Sequence, residues 1–390
     1  MQAKKGKSRI HEGHEEALRK KYEEGKKGSE LMAVIRLPGT LEAVNAHFHR
    51  EGMTDGLPIV PPTREAVDGM LAYTDLEPQE VIAVLPPYKG QATVEKIAIN
   101  AVMAGCLPQY FPVVLTAVAA LAEESYNLYG VLATTHPCSN LVMVNGPIAS
   151  ELDINSGYNA LGQGWRANAS IGRAVRLVMI NIAGARPGVL DRATQGTPAK
   201  IAYCFAENEA RSPWEPFHVE RGFDAGTSTV TVLGAEGPHN INDHGSTSAE
   251  EILTTVAGTM AILGSNNAFG TGEPMVILGP EHAATIAADG LNKAQIKSWL
   301  YEHSKILAGR FSPGNFARHT QRGWPQTEYV TPETYVGSAF SADDILIVVA
   351  GGAGKHSCFV PTFGHTRDIT RPIALKDGTA VSSVEAFVAP

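Results

Sequence analysis

Several side chains in this sequence are of types and spacings that do chemistry. Cys106 lies in Met103-Ala104-Gly105-Cys106-Leu107-Pro108, just before a proline suited to a first helical turn. Oriented amides at a helix start lower a thiol pKa, so Cys106 is the candidate nucleophile or redox thiol, with a packed, inert thiol as the alternative. Glu207 and Glu209 are one residue apart and share a face in an extended segment. Paired carboxylates divide acid and base roles or bind a hard metal; an exposed acidic loop is the plainer reading. His244 follows Asp243 in Pro238–Ser246, just ahead of a helix start, where it could move protons. Cys106, Glu207 and His244 are therefore the candidate catalytic residues.

The strongest local pattern is Gly351-Gly352-Ala353-Gly354-Lys355-His356-Ser357, which follows an apolar run at 345–350. Successive N–H groups of a glycine-rich turn converge on an anion, and Lys355 would add a point charge. Gly351, Gly352, Gly354, Lys355 and Ser357 are thus the expected substrate-binding set. The turn is no nucleotide-triphosphate loop: that pattern needs Gly at 349 and Ser or Thr at 356, where Val349 and His356 stand. Two His-x-Cys pairs, His136/Cys138 and His356/Cys358, present N and S on one side of an extended chain. Brought together they would make a His2Cys2 metal site, and a transition metal is the one candidate cofactor. Ordinary buried cysteines are the competing explanation.

These groups need elements to position them. The runs Leu141–Val144, Met275–Leu278 and Ile345–Ala350 are rich in β-branched residues and read as strands buried on both faces, with helices as the cover. Ser246-Thr247-Ser248-Ala249-Glu250-Glu251 carries Ser/Thr-x-x-Glu spacing twice and predicts a helix start. Strands ending at Asn145-Gly146-Pro147 and at Leu278-Gly279-Pro280 suggest a duplicated helix–strand–Gly-Pro–helix unit. The expected class is α/β, with a charged N-terminal arm or helix (1–36), a first α/β half (37–235) and a second (236–390). The arm holds 10 Lys/Arg against 6 Asp/Glu, and its alternation at i,i+4 reads as a solvated helix.

With 390 residues, 44% of them hydrophobic and 18% charged, the chain can bury a large core and is unlike a disordered protein. A net charge of −8 argues against nucleic acid as a partner. Four dispersed cysteines exclude a disulfide scaffold. The charged start shows no signal peptide, and no apolar stretch reaches the roughly 20 residues of a membrane span. A cytoplasmic protein away from membranes, forming a homo-oligomer, is expected.

Together the segments DGLPIVPPT (55–63), MAGCLPQYFPVV (103–114), NGPI (145–148), CFAENEARSPWEP (204–216) and GGAGKHSCFVPTFG (351–364) resemble a poorly characterised bacterial family. Its members tend to be encoded beside a small protein with a UGSC-type motif that carries selenocysteine or cysteine. The resemblance covers most of residues 40–375 and implies a heteromeric enzyme whose partner supplies a reactive selenol or thiol. It assigns no catalytic residues. The leading expectation is an enzyme, or its large subunit, acting on a small anionic substrate by thiol-assisted redox or lyase chemistry. A metal-dependent enzyme with a His/Cys/Glu site and a non-catalytic scaffold for a partner enzyme are the alternatives.

Overall fold

A computed structural model describes residues 34–269, 272–323 and 329–388. The described residues divide into a short unit ending at Val44 and a large unit from Asn45 onward. Of the first, residues 34–44 are an extended stretch and the opening turn of the helix Leu41–Arg50. The charged arm expected over 1–36 lies, except for its last three residues, outside the described residues.

The fold is α/β, and among the described residues the strands form two four-stranded sheets and two small pairs. In chain order the strands are β1 (Val81–Leu85), β2 (Gly90–Thr93), β3 (Ser139–Asn145), β4 (Cys204–Ala206), β5 (Thr229–Ala235) and β6 (His239–Asn242). They continue as β7 (Met275–Leu278), β8 (Lys305–Leu307), β9 (Tyr335–Gly337), β10 (Leu346–Val349), β11 (His356–Val360) and β12 (Ile369–Pro372). One sheet has the order β4-β3-β5-β12 and the other β10-β7-β11-β6; β1–β2 and β8–β9 are separate antiparallel pairs.

The apolar runs form strands buried on both faces, as their composition predicts, but the cover differs from the expected one. Alternate side chains point to opposite faces of a strand. Leu141, Met143, Phe205 and Leu233 of one sheet meet Met275, Ile277, Leu346 and Val348 of the other in a single core. On the far side of the second sheet, Val276, Leu278, Ile347 and Val349 pack against Ile252, Val256, Ile286 and Leu300 of its helices. The helices Phe111–Leu121 and Arg166–Asn181 lie against the first sheet. Each sheet therefore has helices on one face and the other sheet on its second face, a correction to helices on both. Burying one such side chain contributes about 1.5–3 kcal/mol.

Strand directions follow the same pattern in both sheets. β4 is parallel to β3, and β5 and β12 follow antiparallel; β10 is parallel to β7, and β11 and β6 follow antiparallel. The chain crosses over twice. β6 comes after β5 yet joins β11, and β12 comes after β11 yet joins β5, with Ala235 and Thr362 bridged at the crossing. The repeated order of directions is a fact of topology; the duplication expected from the sequence stays an expectation about ancestry. The 236–390 segment thus donates a strand to the sheet of the 37–235 segment. No helix among the described residues is long and apolar enough to cross a membrane.

Local signals place the helices that matter for the sites. Ser248 caps Ala249–Met260 by accepting from the Glu251 N–H. Gly146 and Gly279 each precede a proline in the first turn, of Pro147–Glu151 and Pro280–Ala288 respectively. Close approach of backbone excludes any side chain at Gly279, where a Cβ would sit 2.1 Å from the His356 carbonyl oxygen.

Candidate functional site

Two polar sites lie at the ends of the parallel strand pairs, where ligands of open α/β sheets characteristically bind. The first surrounds the glycine turn after β10. Gly351 (φ +116°) and Gly354 (φ +133°) take left-handed conformations that suit glycine. A cavity of about 460 Å³ opens there, lined by Asn159, Gly279, Gly351–Gly354, His356, Ser357 and Cys358. Of the expected substrate-binding set, Gly351, Gly352, Gly354 and Ser357 line it. Lys355 does not: its ammonium donates to the carbonyls of Ser246 (3.1 Å) and His244 (3.4 Å). The N–H of Gly354 already binds a carboxylate of the chain itself, Glu281 Oε1, at 2.8 Å. The expected cationic anion loop is therefore corrected to a largely neutral pocket.

Behind this wall the Ser357 hydroxyl accepts the Gly279 N–H at 3.0 Å and lies 2.8 Å from His282 Nδ1. His282 Nε2 is 3.0 Å from the carbonyl oxygen of Asp243.

The second site sits beyond β3 and β4. Glu207 follows directly on β4, and its carboxylate is enclosed. Oε2 accepts from Asn145 Nδ2 (2.6 Å) and from the Phe217 N–H (2.7 Å). Oε1 has no hydrogen-bond partner, and the Lys293 ammonium stands 3.9 Å from it. Burial pushes the Glu207 carboxyl above the ordinary carboxylate range, against the pull of Lys293 and the two hydrogen bonds. Glu209 Oε1 accepts from Asn145 Nδ2 (2.9 Å) and the Gly146 N–H (2.7 Å), and lies 3.8 Å from His218 Nδ1. His218 is fully buried, and neither ring nitrogen has a hydrogen-bond partner; Asn145 Oδ1 has none either. Lys293 and Lys297 both pair with Glu220. Native interiors satisfy nearly all buried polar atoms, so four unpartnered ones in one cluster single this place out as a candidate site.

The two sites are stitched together by Asn208. Its N–H donates to the Val349 carbonyl (2.7 Å) and its side chain to the Gly351 carbonyl (3.3 Å). The flanking glutamates turn to the other side, into the acidic cluster.

The three expected catalytic residues do not converge. Cys106 is buried beside Ser170 and Arg166, and burial pushes its thiol up to about 12. The helix start it precedes is only a three-residue turn, Pro108–Tyr110, so desolvation wins over any helix dipole. Glu207 lies in the cluster above. His244 is exposed, its Nε2 facing Nε2 of His356 at 3.1 Å.

The expected metal set is also dispersed. His136 Nε2 binds Glu236 Oε1 (2.6 Å) and its ring stacks on Phe363, while Cys138 is buried with its thiol directed at the Val131 carbonyl (3.5 Å). His356 and Cys358 line the glycine cavity instead. Among the described residues no group of three or more His, Cys, Asp or Glu is placed to hold a metal ion. Asn145, His218, Lys293 and His282 are the additions. Asn145 had a local signal, a polar residue ending a buried strand, whereas Lys293 had none. No family model matches the chain, and no curated protein matches its sequence.

Proposed function

We propose that the protein is an enzyme of lyase type that removes a proton next to the carboxylate or carbonyl carbon of a small substrate, with Glu207 as the base. The observation that carries this reading is the Glu207 carboxylate: one oxygen is locked by two donors and the other is bare, in a closed site. A base held above its ordinary range accepts protons effectively near neutrality. Lys293, beside the bare oxygen, would hold the negative charge that develops as the proton leaves. His218 is the group placed to return a proton to a leaving hydroxyl. The segment Pro213–Pro216 leads into the Phe217 N–H that binds Glu207 and is anchored by Trp214 Nε1 on the Leu291 carbonyl (2.9 Å).

The test is deuterium wash-in, followed by proton NMR, on a panel of small hydroxy- and keto-carboxylates in D2O. The rate is expected to rise with pH as Glu207 loses its proton, with an inflection above the ordinary carboxylate value. Glu207→Gln is expected to lower it at least about 100-fold. Exchange unchanged in this variant, or none by the wild-type chain on any member, overturns the assignment.

A second reading is favoured by the thiols. Burial raises the pKa of all four cysteines, including Cys358 at the cavity, so the chain has no activated thiol of its own. Redox chemistry here would need the selenol or thiol of a small partner, as the family resemblance implies. Co-elution with such a protein, and a reductase activity present only in the mixture, would support it.

A further inference from the structure

The imidazoles of His244 and His356 take no part in the chemistry proposed for Glu207, and their geometry differs from that of a head-on hydrogen bond. Strand alternation puts His356 and Cys358 of β11, with Asn242 and Asn240 of β6 opposite them, on the sheet face that carries the cavity. His244 follows two residues after Asn242, and its Nε2 lies 3.1 Å from Nε2 of His356. Rings aligned head-on at that separation would hold their centroids about 5.4 Å apart. The centroids stand 4.9 Å apart, with the ring planes at 80°. A cation about 2.1 Å from both nitrogens, with about 95° between its two bonds, requires about 4.8 Å. The pair thus has the spacing of two neighbouring ligands on one transition metal.

The surroundings hold both rings in place. His356 Nδ1 is 2.9 Å from Asn240 Oδ1. An amide oxygen only accepts, so Nδ1 carries the ring proton and Nε2 presents its lone pair toward His244. Metal-binding histidines characteristically have their second nitrogen fixed in this way. The turn that carries His244 is tied down on both sides. The Asp243 carboxylate accepts from the Ser246 and Thr255 hydroxyls (both 2.7 Å), and its carbonyl oxygen lies 3.0 Å from His282 Nε2. Lys355 donates to the His244 carbonyl at 3.4 Å.

We propose that His244 and His356 bind one divalent transition cation that prefers imidazole, of the zinc, nickel and copper group, through their Nε2 atoms. This set differs from the His2Cys2 site expected from the sequence, since His136 and Cys138 are engaged elsewhere and His244 was not part of it. To bind the ion, His244 carries its ring proton on Nδ1, which has no hydrogen-bond partner among the described residues. Both rings stay neutral, and no anionic side chain adds to the attraction, so the site is a weak one. Two protein nitrogens leave the remaining positions of the ion to water, which is the open arrangement of sites that receive ligands. The ring of His356 belongs to the wall of the 460 Å³ cavity, so the ion stands at that cavity's edge.

The experiment titrates zinc chloride into the full-length protein, free of any affinity tag, by isothermal calorimetry. One site with micromolar affinity is expected. His244→Ala and His356→Ala are each expected to abolish that same site, because either leaves a single nitrogen. Asn240→Ala is expected to weaken it about tenfold without changing the stoichiometry, since the His356 ring is then free to turn. His136→Ala is the control and is expected to keep the site unchanged. Both rings of the pair are exposed, so the variants are expected to fold, and thermal melts check this. No binding by the folded wild-type chain up to about 1 mM zinc overturns the proposal. So does a site that survives in either His244→Ala or His356→Ala, or one that is lost in His136→Ala. None of these outcomes bears on Glu207, which shares no hydrogen bond with the pair.

Discussion

β3 and β7 meet the same local problem and solve it with different chemistry. Each ends in a glycine followed by a proline that opens a helix, and each glycine N–H at that step needs an acceptor. At Gly146 the acceptor is the Glu209 carboxylate, and at Gly279 it is the Ser357 hydroxyl. The neighbouring parallel strand completes the contrast. β4 leads into Glu207, whereas β10 leads through Ala350 into glycines. One end is therefore charged and closed, and the other is neutral and opens into a cavity. Strand order sets where a site can lie, and the side chains at the strand ends decide what it can do.

The sharpest way to break this comparison is to remove the frame that both ends share. Phe205→Ala cuts a large side chain out of the core between the sheets, and a loss of about 3–5 kcal/mol in urea unfolding is expected. Both sites should fail together. Gly279→Ala acts at one end: its Cβ meets the His356 carbonyl oxygen, and a loss of about 1–3 kcal/mol is expected. The cavity chemistry should suffer before the Glu207 site does.

Glu207→Gln probes the charged end. A carboxyl whose folded pKa is raised contributes stability that is complete below its unfolded pKa and is lost as pH rises through the folded value. Removing the titration should therefore leave the variant more stable than the wild type at pH 8, by on the order of 1 kcal/mol, with the gap closing toward pH 4. Thermal melts across that range measure it, and a gap that widens on acidification would contradict the assigned direction. The smallest effect is expected at the exposed rim. His244→Ala loses only its contact with His356, and its unfolding midpoint should stay within about 0.5 kcal/mol of the wild type.

The sequence made the strands legible because an apolar, β-branched run records burial. It does not record what does the burying, so the sheet that covers Leu141 and Met143 could be mistaken for helices. Capping at Ser248 and the two Gly-Pro steps were visible because their physics is local. The direction of Lys355 was not, since one residue along a strand decides which face a side chain takes. Cys106 misled for an energetic reason: a helix start was foreseen, but its three-residue length and the cost of burying a thiolate were not. Glu207 stood out by its spacing from Glu209. Its partner Lys293 lies 86 positions further along the chain, at the start of the helix Lys293–His303, and only the packed fold brings the two together.

The two crossings between β5 and β6 and between β11 and β12 carry a mechanical consequence. The second half of the chain completes the first half's sheet with β12, so the first cannot be lifted out whole, and severing the peptide between β5 and β6 leaves two clasped pieces. A strain on the sheet that ends in the acidic cluster is carried by β12 into the peptide that joins it to β11 of the other sheet.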